Sequence, residues 1–139
     1  HWRFKTPKIA MMSAHTIFDM YLDYLEAEDF IGMDMCRKFL EMGFTRSRRY
    51  ANHRNGKKYD KKGNVIPQEP DHATCHFAKS AKIFKKVRDI VAKNDTYVKM
   101  RKHWRKEVEH SQEARVNALA TASNVKRAQY SNSKVSRTA

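Results

Sequence analysis

The sequence predicts a mainly α-helical protein, and three observations predict it. Apolar residues recur at spacings of three and four along four segments. Each segment opens beside a residue that can cap a helix: Thr6, Asp29, Asp71, and Asp95 or Thr96. Stop and turn residues separate them: Gly43, Asn55-Gly56, Gly63, Pro67 to Pro70, and Asn94. The expected architecture is an αα-hairpin, a basic turn with a small β-hairpin, two more helices and an extended basic tail. Residues 1–110 form the helical domain, and 111–139 are a low-complexity extension.

His1-Trp2-Arg3-Phe4-Lys5 is an aromatic and basic lead-in. Thr6 then caps a first helix with Pro7 at its first position. Ala10, Ala14, Ile17, Phe18, Tyr21 and Leu25 make its apolar stripe to about Glu28, while Asp19, Asp23, Glu26 and Glu28 make an acidic outer face. Asp29 caps a second helix from Phe30 to Met42, with Gly43 as its stop. Met33, Cys36, Phe39 and Leu40 are expected to face the first helix. The methionines of this hairpin (Met11, Met12, Met20, Met33, Met35 and Met42) read as core gap-fillers.

Thr45 to about His53 is expected to be a short separate helix with Arg46, Arg49 and His53 on one face. Asn55-Gly56 ends it, and residues 57–66 read as a small hairpin turning at Asp60 to Asn64, with Gly63 at the position needing positive φ. Two short strands alone are marginal, so this element must lean on the helices or on a ligand. After the Pro67–Pro70 linker, Asp71 caps a third helix to about Lys93, with Phe77, Ala81, Phe84, Val87 and Val91 inward. The fourth carries Tyr97, Met100, Trp104 and Val108. Glu113 to Ala122 continues a helix; beyond Ser123 the composition is that of a tail that cannot fold alone.

Charge is the sequence's strongest functional signal. The chain has 139 residues, a net charge of +14 and a pI near 10.0. Its 40% apolar content suits a modest core. Between Thr45 and Lys62, eight basic residues face one acid, Asp60: a net +7, half the charge of the chain in 18 residues. Arg46, Arg48, Arg49 and Arg54 suit phosphate clamping, and Lys57, Lys58, Lys61 and Lys62 supply diffuse charge. Tyr50, His53 and Tyr59 are interleaved with them, and tyrosines can stack on unpaired bases. Lys126 and Arg127 extend the basic character into the tail. The competing reading is a solvated surface that preserves solubility.

Other chemistry is sparse. Gly-x-Gly-x-x-Gly, Walker and Gly-x-Ser-x-Gly motifs are absent, no carboxylate cluster suited to Mg²⁺ stands out, and no cofactor is implied. His72, Cys75 and His76 alone have metal-ligand flavour, with both histidines on one helix face. That trio lacks paired Cys-x-x-Cys knuckles, and a buried Cys75 with surface histidines is the expectation. Cys36 and Cys75 read as buried free thiols of a reducing compartment such as cytoplasm, an organelle matrix or a virion. The chain begins at His1, which reads as processing, truncation or a partial chain, and no secretory signal is visible. Mean hydropathy is −0.85, which argues against membrane insertion.

The run Gly32-Met33-Asp34-Met35-Cys36-Arg37-Lys38-Phe39-Leu40-Glu41-Met42-Gly43-Phe44-Thr45-Arg46-Ser47-Arg48-Arg49-Tyr50-Ala51-Asn52-His53 resembles the core of the domain of unknown function 4385 family. The lead-in His1 to Pro7 is similar to that family's approach to its first helix. The resemblance spans about 1–106, strongest over 32–62; the family pattern continues upstream of Trp2-Arg3-Phe4, and the chain after Glu109 is an addition to it. It implies a fold outline and no established activity.

The functional expectation is therefore a non-enzymatic nucleic-acid-binding protein, a structural subunit of a large nucleoprotein assembly such as a ribosome or viral particle. The tyrosines tilt the partner toward RNA over DNA, with other proteins of the assembly beside it. The alternatives are a protein–protein assembly subunit using the acidic first helix and methionine-rich hairpin, and a small metal-dependent nucleic-acid enzyme.

Overall fold

The computed structural model describes the backbone of residues 3–135 and the side chains through Ala128. His1, Trp2 and Arg137 lie outside the described residues. The chain divides into two units, residues 1–98 and 99–139.

The first unit is built on three helices: α1 (Pro7–Glu26), α2 (Phe30–Asn52) and α3 (His76–Lys93). The Thr6 hydroxyl accepts the Ile9 N–H at 3.2 Å, with Pro7 behind it, so α1 starts as its sequence expects. Asp29 Oδ1 accepts the Gly32 N–H at 3.1 Å and starts α2. The core joins Ala10, Ala14, Ile17 and Tyr21 of α1 to Met33, Cys36 and Leu40 of α2, with Ala81, Phe84 and Val91 of α3. Tyr97, in the first turns of α4 (Asp95–Trp104), is buried beside Phe30, ring centroids 5.9 Å apart.

Helix α2 runs straight through Gly43, so neither the expected stop nor a separate helix over 45–53 exists. Gly43 is buried, and a Cβ there would collide with the Phe84 ring of α3. The glycine serves close helix approach, and tertiary packing overrides its weak helix propensity. Gly43, Ser47 and Ala51, four residues apart and all buried, continue that small-residue stripe.

The methionine expectation also changes. Only Met33 of the six is buried in the core; Met11, Met12, Met20, Met35 and Met42 are exposed, as is Phe39. Small residues on α1 and α2 let the helices approach closely and leave little gap for flexible side chains to fill.

Residues 53–75 connect α2 to α3 without a strand among the described residues. The expected β-hairpin reduces to an isolated antiparallel bridge between Tyr59 and Val65. The turn itself forms where expected: the Asp60 N–H donates to Asn64 O at 2.9 Å, and Gly63 adopts φ 84°. So short a pairing, exposed at Tyr59 and Val65, does not extend into a ladder. Helix α3 begins at His76, not Asp71; residues 70–74 are turns, and Cys75 stands half-buried at the N-cap without a side-chain capping bond. The Asn94 side chain, rather than Asp95 or Thr96, accepts the Tyr97 N–H at 3.1 Å and starts α4.

In the second unit, a π-helical turn (Arg105–Glu109) follows α4, and α5 runs from His110 to Val135. The helix expected over 113–122 thus runs on through the segment beyond Ser123 that was expected to be an extended tail. Every described side chain from Glu109 to Ala128 is exposed, so intrinsic propensity of its alanines and long polar residues carries this helix rather than burial.

Candidate nucleic-acid interface

The basic block divides between the end of α2 and the loop after it, and its members do different work. Arg48 is half-buried and committed inward: Nη1 donates to the His72 carbonyl at 3.1 Å and Nη2 to Asn52 Oδ1 at 2.8 Å. It joins the end of α2 to the turn before α3. Arg46 and Arg49 are exposed on α2. His53 is the C-cap, extended at φ −139°, and only 7% exposed, so it leaves the helical face assumed for it and is withdrawn from a ligand.

Arg54 fastens the loop. Its Nη2 donates to Asp71 Oδ1 at 3.1 Å, its N–H to Glu69 Oε1 at 3.2 Å, and Glu69 N–H returns to Asn52 O at 2.8 Å. The exposed Arg54–Asp71 pair adds little energy alone, but these contacts fix where the loop leaves the helix. Gly56, at φ 73°, lies against Tyr50: a Cβ there would sit 2.9 Å from Tyr50 Cζ.

Beyond Gly56 the loop turns outward. Lys57, Lys58, Lys61 and Lys62 are all exposed, and Tyr59 is 54% exposed with Lys58 Nζ 5.6 Å from its ring centroid. Asp60, the block's one acid, spends its charge on the backbone. Its Oδ1 accepts the N–H of Asn64 at 2.9 Å and of Lys62 at 2.8 Å. These bonds, led by the one from Asn64, hold its carboxyl below the ordinary range. Among the described residues Asp60 forms no ion pair with a lysine.

Tyr50 is not a free stacking platform. It is half-buried between Phe4 (centroids 5.5 Å) and Phe77 (5.6 Å), and those two rings lie 6.1 Å apart. Phe4 arrives on a segment pinned to α1 by the Arg3 N–H, which donates to Ser13 Oγ at 2.9 Å. Arg3 and Lys5 flank it, and an open cleft of about 420 Å³ lies among these side chains and Ile9. Sequence reading passed over Arg3, Phe4 and Lys5 as a lead-in; their alternation of cation, ring and cation was the available signal.

Lys126 and Arg127 lie on α5 in the second unit, exposed. The metal-flavoured trio is not assembled, because His72 precedes α3 and so shares no helix face with His76. Among the described residues no three His, Cys, Asp or Glu side chains group closely enough to hold a metal ion. No described helix is long and apolar enough to cross a membrane.

Fold and site together define a helical domain that presents a fastened cationic loop beside an aromatic cluster. The family model described as "Domain of unknown function (DUF4385)" matches residues 1–107, and the chain belongs to that family. No curated protein and no solved structure matches the chain.

Proposed function

We propose that this chain is a non-enzymatic nucleic-acid-binding protein, a structural subunit of a nucleoprotein assembly, and that the loop 54–62 is its phosphate contact. One observation carries the reading: four exposed lysines surround exposed Tyr59, while Asp60, the one acid among residues 57–62, is engaged by backbone N–H groups. Lysines so arranged attract the closely spaced phosphates of a nucleic acid, and the energy comes from release of the counterions condensed on them. Arg46 and Arg49 extend the positive surface along α2. RNA or a single strand is favoured, since Tyr59 can stack only on an unpaired base.

Binding of labelled single-stranded RNA and of duplex DNA over a salt series tests this. The intact chain is expected to bind with a steep salt slope. Changing Lys57, Lys58, Lys61 and Lys62 to Ala lowers that slope by roughly two to three for a single strand. Absence of binding at low salt, or a slope indifferent to the four lysines, refutes the assignment.

A second reading has its own observation. Met11, His15, Phe18, Ile83, Val87 and Ile90 line a shallow apolar groove between α1 and α3, a surface suited to a protein contact within an assembly. The two readings concern different faces and are compatible.

A further inference from the structure

The cleft between the N-terminal segment and the ends of α2 and α3 has the chemistry of a base-binding pocket. Phe4, Tyr50 and Phe77 present three rings within about 6 Å of one another, Ile9 adds an aliphatic wall, and Arg3 and Lys5 stand at its edge. Its volume of about 420 Å³ falls within the roughly 300–1,000 Å³ of small-molecule sites. An aliphatic ligand would leave the two cations unused; a simple anion would leave the rings unused. A flat heteroaromatic ring bearing a phosphate satisfies both, with ring against ring and phosphate against guanidinium or ammonium.

The cleft shares one side chain with the approach to the cationic loop. Tyr50 forms its wall, and the hydroxyl end of the same ring abuts Gly56, the residue immediately before Lys57. Substitution of Gly56 by a residue with a Cβ would press on Tyr50 as well as strain a positive φ. One strand can thus lay a base in the cleft against the packed Phe4–Tyr50–Phe77 cluster while its adjoining phosphates run toward the loop that starts after Gly56. A duplex cannot, because its bases are stacked and paired.

We infer that the Phe4–Tyr50–Phe77 cleft receives an unpaired base of a single-stranded nucleic acid whose backbone runs along the loop 57–62; the inference rests on the nucleic-acid reading of that loop.

The test compares, on the intact chain, a short oligothymidylate with an abasic strand of equal length, then repeats both with Ile9→Trp, which fills the cleft. Helix content by circular dichroism checks that the variant folds. The base-bearing strand is expected to bind about tenfold more tightly than the abasic one. Ile9→Trp should abolish that advantage and leave the salt slope intact. Equal binding of both strands with a steep slope overturns the base cleft and leaves the phosphate-binding loop standing. Failure of both strands to bind overturns the loop reading and the cleft with it. Should Ile9→Trp not fold, the two strands are compared on Tyr59→Ala: an advantage that persists supports the cleft, and one that disappears assigns the base contact to Tyr59 and overturns it.

Discussion

The Tyr97 hydroxyl donates to Asp34 Oδ1 at 2.7 Å, tying the start of α4 to α2 across 63 residues of sequence. Arg37 Nε meets the same oxygen at 2.9 Å, and Lys38 Nζ lies 3.2 Å from Oδ2. Burial alone would push the Asp34 carboxyl up. The hydrogen bonds from Tyr97, Arg37 and Lys38, with the Arg37 charge, outweigh it and hold the group below its usual value.

Asp34 therefore stabilises the fold in its ionised form. A depressed folded-state pKa gives stability that is full above the ordinary carboxylate pKa, roughly 3.9, and is lost as pH falls through the lower folded value. In that window the unfolded chain binds more protons. Asp34→Asn should flatten the decline of stability below about pH 4, and Tyr97→Phe should cost about 1–3 kcal/mol at neutral pH. Urea unfolding followed across acid pH measures both, and an unchanged acid slope in Asp34→Asn contradicts the assignment.

Gly43→Ala should destabilise the protein although alanine is the better helix former by about 1 kcal/mol. The added methyl meets the Phe84 ring, a core side chain that is fully buried, and overpacking of this kind costs about 1–3 kcal/mol. Pairing it with Phe84→Leu should recover part of the loss, a coupling that a double-mutant cycle reads directly. Neutral or stabilising behaviour of Gly43→Ala would show that α2 and α3 separate more readily than their packing indicates.

These two sites also show what the sequence could and could not disclose. Thr6, Asp29 and the turn at Asp60–Gly63 were legible because caps and turns are local chemistry. Gly43 was misread as a stop because its reason, the Phe84 ring, lies some forty residues away in sequence. The methionines were placed inside by composition, whereas the small residues Ala10, Ala14 and Gly43 had already closed the space. Likewise only residues 113–122 of α5 were read as helix, because the polar composition beyond Ser123 argues against burial, while its alanines argue for helix without it. At the site, the charge of the loop was readable and its division of labour was not: nothing local marks Arg48 as a bracket to the His72 carbonyl.

The two thiols should react unequally. Cys36 is 3% exposed, and burial pushes its pKa up to about 11, so little thiolate exists at neutral pH. Cys75 is half-buried at the start of α3. Under native conditions a thiol-specific reagent is expected to modify Cys75 first, with Cys36 following only on unfolding. Mass spectrometry after proteolysis identifies the labelled cysteine, and equal labelling would place Cys36 outside the core.

Arg48 and Arg49 are sequence neighbours with opposite assignments, which makes them the sharpest comparison in the basic block. Arg48→Ala removes both donors that join α2 to the turn before α3, leaving the His72 carbonyl and Asn52 without them. Its expected cost is about 1–3 kcal/mol of stability, with the salt slope of nucleic-acid binding unchanged in the protein that remains folded. Arg49→Ala removes an exposed charge and should leave stability within about 0.5 kcal/mol, while lowering the salt slope by about 0.7 on a single strand if one phosphate contact is lost. Thermal unfolding and the salt series together give a two-by-two outcome. A stable Arg48→Ala with weakened, flatter binding would return that guanidinium to the interface and reverse the assignment of the pair.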